Sequence, residues 1–186
     1  MIEEIDRIDS IVSDFMYLGK PKPIILEKAS IEEIIAYTVS ITKHHADTKG
    51  VTVETNLEDQ VPLIDCDERR LKQVFINLIK NAIESMPGGG KISIHLEKTG
   101  DNGISVSIED EGCGISEEVI SNLGIPFNST KKDGTGLGLM VTSQIIKEHN
   151  GELVIGNKLD EGARVIVNIP IKQNFKNSSN TSGITN

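Results

Sequence analysis

The chain has 186 residues, with 28 acidic and 19 basic side chains and a formal net charge of −9. Its hydrophobic content of 37% is enough to bury a core, which excludes wholesale disorder. The acidic balance and the 3% aromatic content exclude the basic, base-stacking surface of a nucleic-acid binder.

In chain order, residues 1–19 read as an amphipathic helix, because Ile5, Ile8, Val12 and Phe15 recur at steps of three and four. So short a helix is marginal alone in water. Its apolar stripe either docks on the chain's own domain or forms half of a dimerising helical hairpin. Gly19, Pro21 and Pro23 end it and open a linker over 21–29. A second helix is predicted over 30–49, with Ser30 and Glu33 as a capping box and Gly50 past its end. Residues 51–55 alternate as a strand, and 62–65 read as another. A strong helix follows over 67–86, stopped by PGGG at 87–90. Strands over 91–97 and 104–110 flank a turn rich in Gly and Asn. Then come a short helix near 116–123, a polar loop, and a helix over 138–149 closed by Asn150 and Gly151. A last strand pair, 152–156 and 163–169, precedes a tail over 172–186 rich in Asn, Ser and Thr and expected to be disordered. Most neighbouring strands are joined by turns too short for parallel crossovers. The expected fold is therefore α+β: a two-layer α/β sandwich with a mixed, mainly antiparallel sheet, preceded by one amphipathic helix.

Cys66 and Cys113 have no CxxC partner, which argues against a disulfide framework or a cysteine zinc site and fits a reducing cytoplasm. No apolar run approaches the ~20 residues needed to span a bilayer. The start lacks the basic region of a signal peptide. No membrane contact is expected from this chain, although a longer parent protein could be membrane-anchored.

Three features carry chemistry. At 100° per residue, the helix 67–86 gathers Gln73, Asn77, Lys80, Asn81 and Glu84 on one arc opposite a broad apolar face. That arc is either a solvated face or a functional one. Asn is a poor helix former, so Asn77 and Asn81, one turn apart, point to a side-chain role. An Asn oxygen is a hard neutral ligand that suits Mg²⁺, which keeps most of its waters. The second feature is DEGCG at 110–114, directly after a strand. Its carboxylate can accept from an exocyclic amine and its glycines allow close backbone approach, although an ordinary acidic turn would look the same. The third is KKDGTGLGL at 131–139, opening a helix. Alternate glycines before a helix N-terminus expose N–H groups to which the dipole attracts phosphate. The spacing fits neither a Rossmann fingerprint nor a Walker A loop. Between the last two features, residues 121–133 read as a mobile lid.

In this order the motifs resemble those of the sensor histidine kinases. NLIKNA at 77–82 resembles their N box, DEGCG at 110–114 the G1 box, Pro126-Phe127 the F box and GTGLGL at 134–139 the G2 box. The wider ATPase fold is shared with gyrase, Hsp90 and MutL, and the stretch around 71–92 is similar to nitrogen-regulation and Bacillus sporulation kinases. The resemblance implies ATP and Mg²⁺ as cofactors. It implies Asn81 as the Mg²⁺ ligand, Asn77 on the phosphate side, and Asp110 accepting from the adenine amine beside Gly112, Gly114 and Ile115. Thr130, Gly134, Thr135, Gly136, Leu137, Gly138 and Leu139 would complete the nucleotide site. Lys131 would approach the γ-phosphate, so that Asn77, Asn81 and Lys131 form the catalytic set. ATP-hydrolysing relatives carry a Glu where this chain has Asn77, which cannot deprotonate water; transfer to a protein acceptor is favoured over hydrolysis. The acceptor His of the family has no counterpart among His44, His45, His95 and His149, all expected to be structural or exposed. Residues 1–20 would be the second helix of a dimerisation and histidine-phosphotransfer hairpin, 21–29 a linker and 30–171 the catalytic domain. The implied partners are a histidine-bearing dimerisation segment, a response regulator and a second copy of the full-length protein. A free-standing nucleotide-binding regulator and an anti-sigma-type serine kinase remain as alternatives on the same fold.

Overall fold

The computed structural model describes residues 23–58, 60–117, 136–158 and 162–173, together with Met16, Gly19 and Ile120. The expected helix at 1–19 (apart from Met16 and Gly19), the segment 121–133, Gly134, Thr135 and the tail from 174 onward lie outside the described residues.

The described elements are β1 (Glu27–Ala29), α1 (Ile31–Thr48), β2 (Val51–Leu57), β3 (Ile64–Cys66), α2 (Glu68–Glu84), β4 (Gly90–Thr99), β5 (Gly103–Asp110), α3 (Gly138–Glu148), β6 (Glu152–Asn157) and β7 (Ala163–Pro170). A five-stranded sheet runs in the order β2-β4-β5-β7-β6. The β2–β4 pair is parallel, and its crossover contains β3 and α2; the other pairs are antiparallel. This is the expected mixed, mainly antiparallel sheet. The helices form the second layer, with α1 on β2 and α2, α2 on β4 and β5, and α3 on α2 and β6.

Strand alternation fixes which face meets the helices. Ile92, Ile94 and Leu96 of β4 sit opposite Asp110, Ile108 and Val106 of β5 and are buried with them. Val165 and Val167 of β7 continue the same face. The core is accordingly aliphatic, with Phe75 of α2 as its largest fully buried side chain.

Caps set the helix ends. Ser30 Oγ accepts from the Glu33 backbone N–H at 3.2 Å, as a capping residue should. The carboxylate that meets the Ser30 hydroxyl is, however, that of Glu32, at 2.7 Å. Asp67 caps α2 by accepting from Arg70 N at 3.2 Å, and α2 ends two residues short of the predicted limit, ahead of Pro87.

Two findings refine the boundaries. β1 lies within the stretch read as a linker and pairs antiparallel with β3, Glu27 opposite Cys66. β3 itself begins at Ile64, beyond Pro62, which has no N–H to give to a ladder. At the other end, Lys172 N donates to Asn102 Oδ1 at 3.1 Å and Gln173 N to Asp65 Oδ2 at 3.4 Å, tying the first two residues of the expected tail to the domain. Of the short helix near 116–123, one helical bond, Ile120 N to Ser116 O at 3.1 Å, falls among the described residues.

Candidate functional site

The site is built along one stripe of α2. Asn77, Asn81 and Ser85 follow one another at four-residue steps, so they share a slowly turning face. At 1.5 Å per residue the stripe spans about 12 Å, the scale of an extended nucleotide. A different loop meets each end.

At the Ser85 end stands Asp110, the last residue of β5, with only 5% of its surface exposed. Three donors converge on its Oδ1: Gly112 N at 2.9 Å, Ala163 N at 3.2 Å and Ser85 Oγ at 3.2 Å. The Ser85 hydroxyl is shared, since it also donates to Ala82 O at 2.7 Å. All three bonds use one oxygen, so among the described residues Oδ2 is left to accept from a ligand. The loop after Asp110 is pressed against α2. A Cβ on Gly112 would lie 2.0 Å from Ser85 Oγ, so no larger residue fits. Cys113 N donates to Ser85 O at 3.3 Å. A cleft of about 400 Å³ opens here, lined by Ser85, Met86, Glu111, Gly112, Cys113 and Gly162, among others.

At the Asn77 end stands the start of α3. A Cβ on Gly138 would lie 3.8 Å from Asn77 Nδ2, which places the two in contact. Asn77 Nδ2 is buried and has no hydrogen-bond partner among the described residues. A buried donor without an acceptor is costly, and it suits an incoming oxyanion. Among the described residues no side chain caps the N-terminus of α3, and Gly136 just before it has φ +67°. The dipole of α3 adds partial positive charge at the same place. Asn81 is half-buried between the two ends.

The structure thus brings Gly138, which follows Gly136 and Leu137, against Asn77 at one end of the stripe, with Asn81 between the ends. At the other end it gathers Asp110, Gly112, Gly114 and Ile115. Leu139 is partly buried against the core. Thr130, Lys131, Gly134 and Thr135 lie outside the described residues. Among the described residues no cluster of His, Cys, Asp or Glu could hold a metal by itself. The neutral Asn81 oxygen fits a Mg²⁺ ion that takes its remaining ligands from water and phosphate.

Both cysteines are free, and burial pushes the Cys66 thiol up to about 12. His149 is fully buried and structural. Its Nδ1 lies 2.7 Å from Ile145 O, so it donates there, and Nε2 accepts from Asp67 N at 3.0 Å. Burial pushes its pKa below the usual histidine value. His44 and His95 are exposed and His45 is half-buried.

Two residues of the site went unread in the sequence. Ser85 continues the asparagine stripe by one more turn, a signal that was available. Asn157 at the end of β6 holds both backbone groups of Ile115, and no local pattern announces it.

The family described as histidine kinase-, DNA gyrase B-, and HSP90-like ATPase matches residues 66–173. The chain belongs to this family. Sporulation kinase E of Bacillus subtilis is 38% identical over 177 residues, which is 95% of this chain and 24% of that protein. The chain therefore spans about a quarter of this relative's length. The solved catalytic domain of histidine kinase ThkA is 30% identical, with a TM-score of 0.72 over 80% of this chain and 97% of that one. ThkA in complex with response regulator protein TrrA matches with a TM-score of 0.78 at 27% identity, covering 91% of this chain and 49% of that one. The described body is thus a histidine-kinase catalytic domain in fold and family. The matched stretch begins at Cys66, one residue before the cap of α2, and contains the whole stripe and both loops.

Proposed function

We propose that this domain binds ATP with Mg²⁺ along the Asn77–Asn81–Ser85 stripe and phosphorylates a histidine on a dimerising segment, for relay to a response regulator. The observation that carries this reading is Asn77 Nδ2 beside the start of α3, buried and with no partner among the described residues. That donor needs an oxyanion, and Asp110 stands at the other end of the same stripe with one carboxylate oxygen unspent. Asp110 Oδ2 accepts from the adenine amine, and Gly112, Gly114 and Ile115 flank the base. Asn77 Nδ2 and the N–H groups at Gly136 and Gly138 donate to the phosphates, with Gly134, Thr135, Leu137 and Leu139 shaping the cradle. Asn81 Oδ1 holds Mg²⁺, which when bound would offset phosphate charge. Thr130 completes the nucleotide site and Lys131 approaches the γ-phosphate.

The acceptor imidazole nitrogen attacks the γ-phosphorus in line. A P–N bond forms, the bond to the β,γ-bridging oxygen breaks, and ADP leaves with the electron pair. These residues contribute placement and charge neutralisation. Asn77 offers an amide where hydrolysis would need a base, which favours the histidine over water. In this reading residues 1–20 are half of the dimerisation hairpin, the stretch from 21 up to β1 is the linker to it, and the full-length protein is a homodimer working in the cytoplasm. No helix among the described residues is long and apolar enough to cross a membrane.

The test is calorimetry with ATP and Mg²⁺, followed by transfer of γ-labelled phosphate to a separate histidine-bearing hairpin. Asn81→Ala is expected to weaken Mg²⁺-dependent ATP binding at least tenfold, about 1.4 kcal/mol. Unchanged affinity would remove Asn81 from the metal. Label on a partner serine instead of the histidine would replace the kinase reading with the anti-sigma type. ATP binding with no transfer would leave a nucleotide-binding regulator.

A further inference from the structure

Asn157 is the last residue of β6, and its side chain is exposed. Its amide nevertheless makes two short bonds to a single residue of the loop that follows Asp110. Oδ1 accepts from Ile115 N at 2.7 Å, and Nδ2 donates to Ile115 O at 2.8 Å. Two neighbouring residues in an antiparallel sheet exchange the same pair of bonds, so the planar amide stands in for a strand partner. The fit is tight on the preceding residue too. Gly114 has φ +74°, and a Cβ there would lie 2.9 Å from Asn157 Oδ1, so a side chain would press on the amide.

The loop from 110 to 115 is therefore held at both ends by the β6–β7 hairpin. At its start, Ala163 N at the head of β7 donates to Asp110 Oδ1. At its finish, Asn157 grips Ile115. Between them, among the described residues, the bond from Cys113 N to Ser85 O ties the loop's backbone to the end of α2. Without the amide, the Ile115 side chain would keep its packing against the core, but the backbone of Gly114 and Ile115 would lose the two hydrogen bonds that set it relative to Asp110. A loop that must be ordered on binding costs affinity; one ordered beforehand does not.

We propose that Asn157 is a positioning residue for the base end of the nucleotide site: through its two bonds to Ile115 it presets the loop that recognises adenine. This rests on the reading of Asp110 as the base acceptor. It separates Asn157 from a residue that merely supports the fold, because its loss acts on base recognition more than on phosphate binding.

The experiment compares ATP and GTP affinities by calorimetry in wild type, Asn157→Ala and Asn157→Asp, with thermal melts alongside. Wild type is expected to prefer ATP. Asn157→Ala is expected to lower that preference about fivefold or more, mostly by weakening ATP. Asn157→Asp keeps the acceptor for Ile115 N and loses the donor to Ile115 O, so it is expected to fall in between. It also serves if the alanine variant fails to fold. An equal loss for ATP and GTP would make Asn157 a general structural residue and overturn the proposal. An unchanged ratio in a wild type that prefers ATP would sink the proposal alone. A wild type that binds neither nucleotide, or binds both equally, would sink the Asp110 reading and this proposal with it.

Discussion

The two ends of α2 are built on opposite principles. At its N-terminal end, Arg70 has only 7% of its side chain exposed and is fully engaged. It pairs with Asp67 at 3.2 Å and with Glu148 of α3, and donates to Pro23 O at 3.3 Å. His149 takes the Asp67 N–H, and Ile25 N reaches Asp67 Oδ2 at 3.5 Å. The chain leading into β1 and the C-terminal cap of α3 are thereby tied to one node. Toward the other end, among the described residues, Asn77 keeps a buried donor without an acceptor and Asp110 an oxygen without a donor. Since Arg70 meets Glu148 while Asn77 meets Gly138, α2 and α3 run antiparallel, with the closed node at one end of the pair and the open site at the other. The difference separates stability from chemistry: polar groups are satisfied where the helices are anchored and left unspent where a ligand completes them.

The strongest way to break this separation is Arg70→Ala. Removing one partner of a buried ion-pair cluster leaves Asp67 and Glu148 with uncompensated charge, at a cost of about 3–5 kcal/mol. Urea denaturation should show that loss, while ATP affinity of the folded protein stays within about twofold, far below the tenfold that 1.4 kcal/mol represents. A folded Arg70→Ala variant that binds ATP poorly would show that the two ends of α2 are coupled.

Gly112→Ala attacks the other end. The new methyl would lie 2.0 Å from Ser85 Oγ and 2.8 Å from Ser85 O, so backbone must part from backbone. Overpacking of this kind costs about 1–3 kcal/mol. The larger consequence is expected in calorimetry, as loss of ATP binding when the Asp110 loop lifts off α2. Gly88→Ala is the control, because a Cβ at Gly88 meets nothing within 4 Å although the residue lines the same cleft. Equal ATP affinity in Gly112→Ala and wild type would mean the loop does not touch the base.

Legibility in the sequence follows the same division. Helices α1 and α2 were readable because their caps and apolar periods are local, and the sheet because turn lengths limit its pairing. Asn77 and Asn81 stood out because asparagine is a poor choice for a helix interior unless it does something, whereas Asp110, which an ordinary acidic turn could also supply, was marked out by its order with the other motifs. β1 was not readable: EKA carries no alternation, and it becomes a strand only because β3 is there to pair with it. The Arg70–Glu148 pair spans 78 residues, and the Asn157–Ile115 bonds span 42. No local period encodes a partner at that distance. The fold brings them together, and each looks in isolation like an ordinary surface residue.

The smallest expected effect is the pH dependence of the closed end. His149 is neutral in the fold, because protonating Nε2 would set a donor against the Asp67 N–H it now accepts. Burial is the main force lowering its pKa, and the Arg70 charge acts in the same direction. The Ile145 carbonyl, Asp67 and Glu148 oppose it and do not prevail. The ordinary value of 6.5 applies to the unfolded chain, so as pH falls below that value the unfolded state binds the proton first. Stability is then lost on acidification and is whole above the unfolded value. Urea denaturation at pH 7.5 and 5.5, conditions of about one unit either side of that value, should show wild type losing more stability than His149→Gln, whose side-chain oxygen can still accept from Asp67. The acid loss should leave ATP affinity of the folded protein unchanged, since the proton enters at the anchored end of the helix pair and not at Asn77. Equal pH slopes in the two proteins would mean the imidazole is not held neutral, and the closed end would then owe its stability to Arg70 alone.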